Sequence, residues 1–376
     1  MDCLPIELWR HLLYFIKDDI YQLLQVNKFF SVNTKKYCIT DNKKFKVNDQ
    51  ILSQLDNLTS LSNYDNNEIT NEGIKNLTKL TSLVLSYNRT ITGEGLQNLI
   101  NLTHLDLYQN HEIRENDIKH LSNLVSINLS WSSIHYVDHE RFPKLLSLSM
   151  NTNTVLSVSV MNKLTNLTTL SLCCNINVTD NHIKGLTNLT SLNLSGCYEI
   201  TNEGIKDLYQ LSDLDLTTNK MITNIAHLSN LISLKLWGFS KITDQELQCL
   251  TNLTSLNLEK NDDITDDSVQ HLTKLRYLSL FNSSRVTDNV FSKLINLTSV
   301  DLSYHNKITD TGITNCTNLT RLILTGNYQL TSNGLSKLPF ITNLELTPIF
   351  NKIIIRKKIE EYDRIKMNFH KEVIAK

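Results

Sequence analysis

Residues 189–210 read LTSLNLSGCYEITNEGIKDLYQ, and this stretch decides the fold. Leu192, Asn193 and Leu194 alternate apolar and polar with period two, the pattern of a short strand whose leucines turn to one side. From Ile200 onward the apolar residues Ile200, Ile205 and Leu208 fall three to five apart, behind a Thr201 able to cap a helical turn. A short helix or 3₁₀ segment is expected there. The unit L-x-x-L-x-L-x-x-N-x-x-I-T-x-x-G-I-x-x-L recurs along the chain. Its first position falls at Leu58, Leu80, Leu102, Leu124, Leu145, Leu167, Leu189, Leu211, Leu231, Leu253, Leu275, Leu297, Leu319 and Ile341. Eleven of these steps are 22 residues, one is 21 and one is 20. No unit can bury its leucines alone, so the repeats must stack, and stability becomes a sum over neighbouring coils.

The unit resembles the leucine-rich repeat. That resemblance implies an α/β solenoid, a horseshoe with parallel strands on its concave side and short helices or 3₁₀ turns on its convex side. The ninth-position asparagines (Asn88, Asn110, Asn153, Asn175, Asn219, Asn261 and Asn327) stand where the strand turns inward and backbone groups lose water. An amide there can satisfy a donor and an acceptor of the neighbouring coil, because a buried unpaired backbone group costs about 1–3 kcal/mol. Cys197, Phe239, Ser283 and His305 replace Asn at this point. Cys173, Cys174 and Cys197 read as repeat architecture, and the adjacent Cys173 and Cys174 are expected to point apart as neighbours in a strand do.

The chain carries a formal net charge of −1 with a pI near 6.8, which supplies no pull toward nucleic acid or membrane. Asp2, Glu7, Arg10 and Lys17 interrupt every apolar run in the first twenty residues, so no signal-peptide core is expected. Seven scattered cysteines without paired spacing fit a reduced compartment: cytoplasm or nucleus, or host cytoplasm for a viral or bacterial chain. Asn-X-Ser/Thr recurs at Asn101, Asn166, Asn188, Asn252 and Asn296. It does so at one fixed place in the coil, beside a leucine that must be buried, and is read as framework rather than glycosylation. No phosphate loop, nucleophile elbow or metal spacing occurs, so neither an enzyme nor a cofactor or metal site is expected.

Ahead of the first coil, Leu4-Pro5-x-Glu7-Leu8 is followed by Leu12, Ile16, Asp18-Asp19 and Val26-x-Lys28-x-Phe30. Pro5 suits a first helical turn, and Leu8, Leu12 and Ile16 share one helix face. In order and spacing these residues resemble the F-box, and the whole chain resembles an F-box/leucine-rich-repeat protein. The resemblance implies docking on a Skp-type adaptor of a cullin-scaffolded ubiquitin ligase, with Leu4, Pro5, Leu8, Leu12, Ile16 and Val26 as the adaptor-binding residues and the repeats holding a protein substrate. The strict 22-residue period also resembles the coils of bacterial surface proteins. The alternative is accordingly a ubiquitin-independent binding scaffold whose helical start is only a cap. The expected organisation is a helical module at 1–45, a linker or cap at 46–57, the array at 58–350 and a basic cap or tail at 351–376.

Strand positions three, five, seven and eight are expected to face the concave side. Most carry Ser, Asn or Thr, but bulky residues cluster in two groups: Tyr64, Tyr87, Tyr108 and Trp131, then Trp237, Tyr277, Phe281 and Tyr304. Exposed aromatics are binding anchors more often than decoration, and coils about 5 Å apart spread each group over about 15 Å. These eight residues are the candidate partner-binding set.

Overall fold

The structure is a computed structural model that describes residues 37–39, 47–152, 157–238 and 240–346. The adaptor-binding set Leu4 to Val26, the tail 351–376, Asn153 and Phe239 lie outside these residues. The chain divides into two compact units at Lys144/Leu145. The first contains strands β1 (Tyr37–Ile39), β2 (Leu58–Ser62), β3 (Ser82–Val84), β4 (His104–Asp106) and β5 (Ser126–Asn128). Each pairs in parallel with the next. The second contains β6 (Ser147–Ser149), β7 (Thr169–Ser171), β8 (Ser191–Asn193), β9 (Asp213–Asp215), β10 (Ser233–Lys235), β11 (Ser255–Asn257), β12 (Tyr277–Ser279), β13 (Ser299–Asp301), β14 (Arg321–Ile323) and β15 (Asn343–Glu345). These too pair in parallel, in chain order. Each unit is therefore an α/β solenoid with an open parallel sheet, the expected fold class.

The leucines explain the register. Leu83 lies opposite Leu105, Leu192 opposite Leu214 and Leu256 opposite Leu278. All are buried, as are the leucines at the first and sixth positions of the coils from Leu58 to Leu324. A slip of one residue would turn this column outward, so burial holds the register. Each fully buried leucine is worth about 1.5–3 kcal/mol over an exposed one.

The ninth-position ladder is present. Asn88 donates to the Asn66 carbonyl (2.9 Å) and Asn110 to the Asn88 carbonyl (3.1 Å), while Asn327 donates to that of His305 (2.9 Å). The amide oxygen accepts within its own coil, as Asn88 does from the Ile91 N–H (2.8 Å). Substitutes keep the donor: the Ser283 hydroxyl donates to Asn261 O (2.9 Å) and the Cys197 thiol to Leu172 O (3.0 Å). Asn66 and Ser132 occupy the same slot. The Asn-Leu-Thr asparagines are also framework. Asn101, Asn188, Asn252 and Asn296 each donate to a carbonyl of the preceding coil at 2.8–2.9 Å.

A second ladder runs along the back and accounts for the Ile-Thr-x-x-Gly-Ile signature. The carboxylate of Asp180 accepts from the Thr201 N–H (2.8 Å) and hydroxyl (2.7 Å) of the following coil. Asp244 does the same for Thr265, and Asp288 for Thr309. The threonine in turn caps its own turn: Thr201 Oγ1 accepts from Glu203 N at 3.2 Å and heads the one-turn helix Asn202–Ile205. The carboxylates of Asp180 and Asp288 fill the space that a side chain three residues beyond the next threonine would need, while Asp244 accepts there from the Ser268 hydroxyl. A Cβ on Gly204 would sit 2.5 Å from Asp180 Oδ1, and one on Gly312 would overlap Asp288. At 204 and 312 the acid of the preceding coil thus leaves a side chain no room, and glycine fits. Where the coil shortens to 20 residues, between Leu211 and Leu231, Ile222 and Ile225 are both buried with no helical turn between them.

The repeat begins earlier than Leu58. β1 pairs with β2, the turn Asp49–Leu52 buries Ile51 and Leu52, and Asp49 already caps Thr70. Residues 47–57 are therefore the back of a coil rather than a linker, and the last residues given to the amino-terminal helical module include a strand. The physical reason is that Leu58, Leu61 and Ile69 have core faces on both sides, and a coil must cover the first of them.

Candidate protein-binding edge

In every coil from Leu58 to Leu319 the eighth position has a left-handed backbone, with φ between 49° and 81°. This turn aims the eighth-position N–H at the seventh-position carbonyl of the next coil, as from Tyr87 to Tyr108 (3.0 Å) and from Lys260 to Phe281 (2.8 Å). The ladder thus continues past the strand. Asp65, Asn282, Gly196, Gly238 and Gly326 adopt that backbone readily. Tyr87, Trp131 and Tyr304 do so against a cost of about 1–2 kcal/mol each. Strain retained by bulky residues at a surface turn directs attention to function.

Seven of the eight partner-binding candidates occupy positions seven and eight, on this turn edge beyond the strand ends rather than on the strand face. In the first unit, Tyr64 and Tyr87 meet edge to face with centroids 5.2 Å apart, and Tyr87 and Tyr108 do so at 5.4 Å. A hydrogen bond to Tyr87 holds the Tyr108 phenol above its ordinary pKa. Trp131 is left 51% exposed. Beneath them, Asp106 accepts from Ser86 Oγ (2.8 Å), Asn128 Nδ2 (3.0 Å) and Tyr108 N (2.8 Å), so that carboxylate serves the framework.

In the second unit Lys260, which the sequence places among these aromatics together with Lys235 and Glu259, joins the rings. Lys260 Nζ lies 5.5 Å from the Trp237 ring centroid and 5.8 Å from that of Phe281. Phe281 meets Tyr304 edge to face at 5.3 Å. The result is a continuous row Trp237, Lys260, Phe281, Tyr304. A cation between two rings gains about 0.5–1 kcal/mol per ring at an exposed site. Gly326 completes the row, since a Cβ there would stand 2.6 Å from the Tyr304 ring. Tyr304 nonetheless keeps 41% exposure. Tyr277 stands apart, in the third position of its coil on β12, and burial raises its phenol pKa, with Asp301 and Glu259 adding to the shift. Burial likewise raises Glu259, with Asp301 adding and Lys260 opposing. Lys235 pairs with Asp215 at 3.2 Å, and Arg321 with Glu345 at 2.7 Å.

The left-handed turn also overturns the expectation for Cys173 and Cys174. Cys174 occupies the eighth position at φ 60°, and the two sulfurs approach to 3.3 Å instead of pointing apart. The pair lies past the strand, where alternation no longer applies. Asp65, Gly196, Gly238, Asn282 and Gly326, recurring at position eight, were the signal for this turn.

Among the described residues no helix is long and apolar enough to cross a membrane. The family profile described as Leucine Rich repeat matches residues 76–100, 185–208, 249–272, 293–314 and 315–338. Compared by sequence, the chain matches no curated protein. Among solved structures it is similar to an internalin of Listeria monocytogenes, at 26% identity over 79% of this chain and 89% of that one (TM-score 0.55). It is also similar to a leucine-rich-repeat protein of Leptospira interrogans, at 24% identity over 88% and 92% (TM-score 0.57). A third likeness is to a chain of the Rad7 and Elc1 complex of yeast, at 22% identity over 80% and 85% (TM-score 0.54). The repeats of this chain are leucine-rich repeats.

Proposed function

We propose, on the premise of that repeat architecture, that this chain is a non-enzymatic receptor. Its aromatic turn edge holds a protein partner, and its F-box-like segment presents that partner to a Skp-type adaptor and cullin scaffold. The observation that carries the binding half is the row Trp237, Lys260, Phe281 and Tyr304, kept at the surface with Phe281 half-buried, and partly left-handed at a cost in stability. Rigid aromatic rings at the surface are the residues that anchor interface hot spots. The adaptor half rests on the order and spacing of Leu4, Pro5, Glu7, Leu8, Ile16, Val26, Lys28 and Phe30. In such an arrangement catalysis belongs to the partners, and the receptor contributes proximity.

The regular 22-residue period favours a second reading, a ubiquitin-independent scaffold whose start only covers the first coil. Co-purification separates the two. The full chain should capture a Skp-type adaptor, and Leu8→Asp should abolish capture. Absence of capture by folded wild-type chain decides for the scaffold. For the edge, proximity labelling identifies the partner, and Trp237→Ala, Phe281→Ala and Tyr304→Gly should each weaken its capture at least about tenfold, or 1.4 kcal/mol, with melting preserved. Undiminished capture by all three would remove the edge from the binding site.

A further inference from the structure

Cys173 and Cys174 form a dithiol that belongs to neither aromatic group. Their sulfurs lie 3.3 Å apart, with Cys174 exposed and Cys173 half-buried. Small residues flank the pair: Thr152 and Gly196 hold the eighth position in the adjoining coils, and Asn151 and Ser195 the seventh. A side chain at Gly196 would begin 3.3 Å from Cys174 Sγ and Cα, so the glycine leaves that side of the thiols open. Cys197 is not available to them, because it is buried and its thiol donates to Leu172 O at 3.0 Å.

The spacing discriminates among ligands. With metal–sulfur bonds of about 2.3 Å, a tetrahedral centre holds two sulfurs about 3.8 Å apart and a linear bridge about 4.6 Å. A pyramidal centre with bonds of similar length and an angle near 90° needs only about 3.3 Å. Burial and the hydrogen bond with Cys174 push the Cys173 thiol up to about 11. Oxidation is disfavoured. Consecutive Cα atoms stand about 3.8 Å apart, below the roughly 4.4 Å lower bound of ordinary disulfides.

We propose that Cys173 and Cys174 are a chelating site for trivalent arsenicals. An organoarsenic(III) oxide would condense with both thiols. Two As–S bonds form, and the As–O bond and both S–H bonds break. The oxygen leaves as water with the two thiol protons, and arsenic stays trivalent, so no oxidant or reductant is needed.

The test uses the full chain, one equivalent of phenylarsine oxide and intact-mass spectrometry, followed by a glutathione challenge. Wild type should gain one reagent less one water and keep it through the challenge. Cys173→Ser and Cys174→Asn should lose retention by about a hundredfold or more, because the second thiol acts at high effective concentration. Asn suits the left-handed turn at 174, and circular dichroism checks that both variants fold. Cys249→Ser, at an exposed single thiol, should behave as wild type. Retention in both Cys173 and Cys174 variants, localisation to Cys3 or Cys38, or loss of the wild-type adduct to glutathione would each overturn the proposal.

Discussion

At the scale of single residues, the eighth position and its neighbour carry most of what is particular to this protein. Tyr87, Trp131 and Tyr304 take a backbone that Asp65, Asn282 and Gly326 adopt cheaply, so the edge gives up stability to display rings. His305 is a second such place. It fills the asparagine slot, where its Nδ1 accepts from the N–H groups of Lys307 (3.2 Å) and Ile308 (3.3 Å). Nε2 therefore carries the proton within the core. Burial pushes this imidazole down to about 4, with the Val286 carbonyl offsetting only part of the cost. An unfolded histidine titrates near 6.5, so between these values the unfolded chain takes up a proton that the folded chain refuses. Stability contributed by neutral His305 is complete above about pH 6.5 and is lost as pH falls toward 4. Denaturant titrations should show about 2 kcal/mol of this loss between pH 7 and pH 5, and His305→Asn should lack that share. An equal decline in wild type and His305→Asn would mean that the ring is not the source.

At the scale of the element, the coils are held by a handshake between consecutive backs. Asp288 accepts from the Thr309 N–H at 2.8 Å and also from its hydroxyl, and it stands where a side chain at 312 would go. Gly312→Ala should cost about 1–3 kcal/mol by displacing Asp288, and Asp288→Ala a similar amount by leaving Thr309 unsatisfied. Their double variant should be more stable than the sum of the two losses predicts, by about 1 kcal/mol, because the alanine at 288 removes the clash. Strict additivity in a double-mutant cycle would contradict the contact. Threonine, acid and glycine recur visibly in the repeat, and Thr201 reads as a cap. That the glycine answers to the acid of the preceding coil emerges only when coils are stacked, since the partners are 24 residues apart.

At the scale of the molecule, each unit is one-dimensional. Coil touches next coil, and no side chain in β6 can support one in β15 except through those between. Leu256→Ala should remove about 3 kcal/mol at one point of the second unit. Hydrogen exchange should then accelerate first at β10, β11 and β12, with β6 and β7 least affected. Uniform acceleration across the unit would show that it unfolds as a single cooperative body.

Local chemistry alone determined the repeat. Leucines at fixed spacing admit one economical burial, so strands, backs, ladder asparagines and the positions of the candidate aromatics followed from periodicity. Tertiary structure decided what depends on the angle between neighbouring coils and on the backbone hand at each turn. The left-handed eighth position carries Tyr87 and Tyr304 into edge-to-face rows, brings the Lys260 ammonium within 5.5 Å of the Trp237 ring centroid and 5.8 Å of that of Phe281, and swings Cys174 onto Cys173. Periodicity names which residues share a column, but a contact between columns is fixed by φ and by stacking, neither of which a single coil possesses by itself.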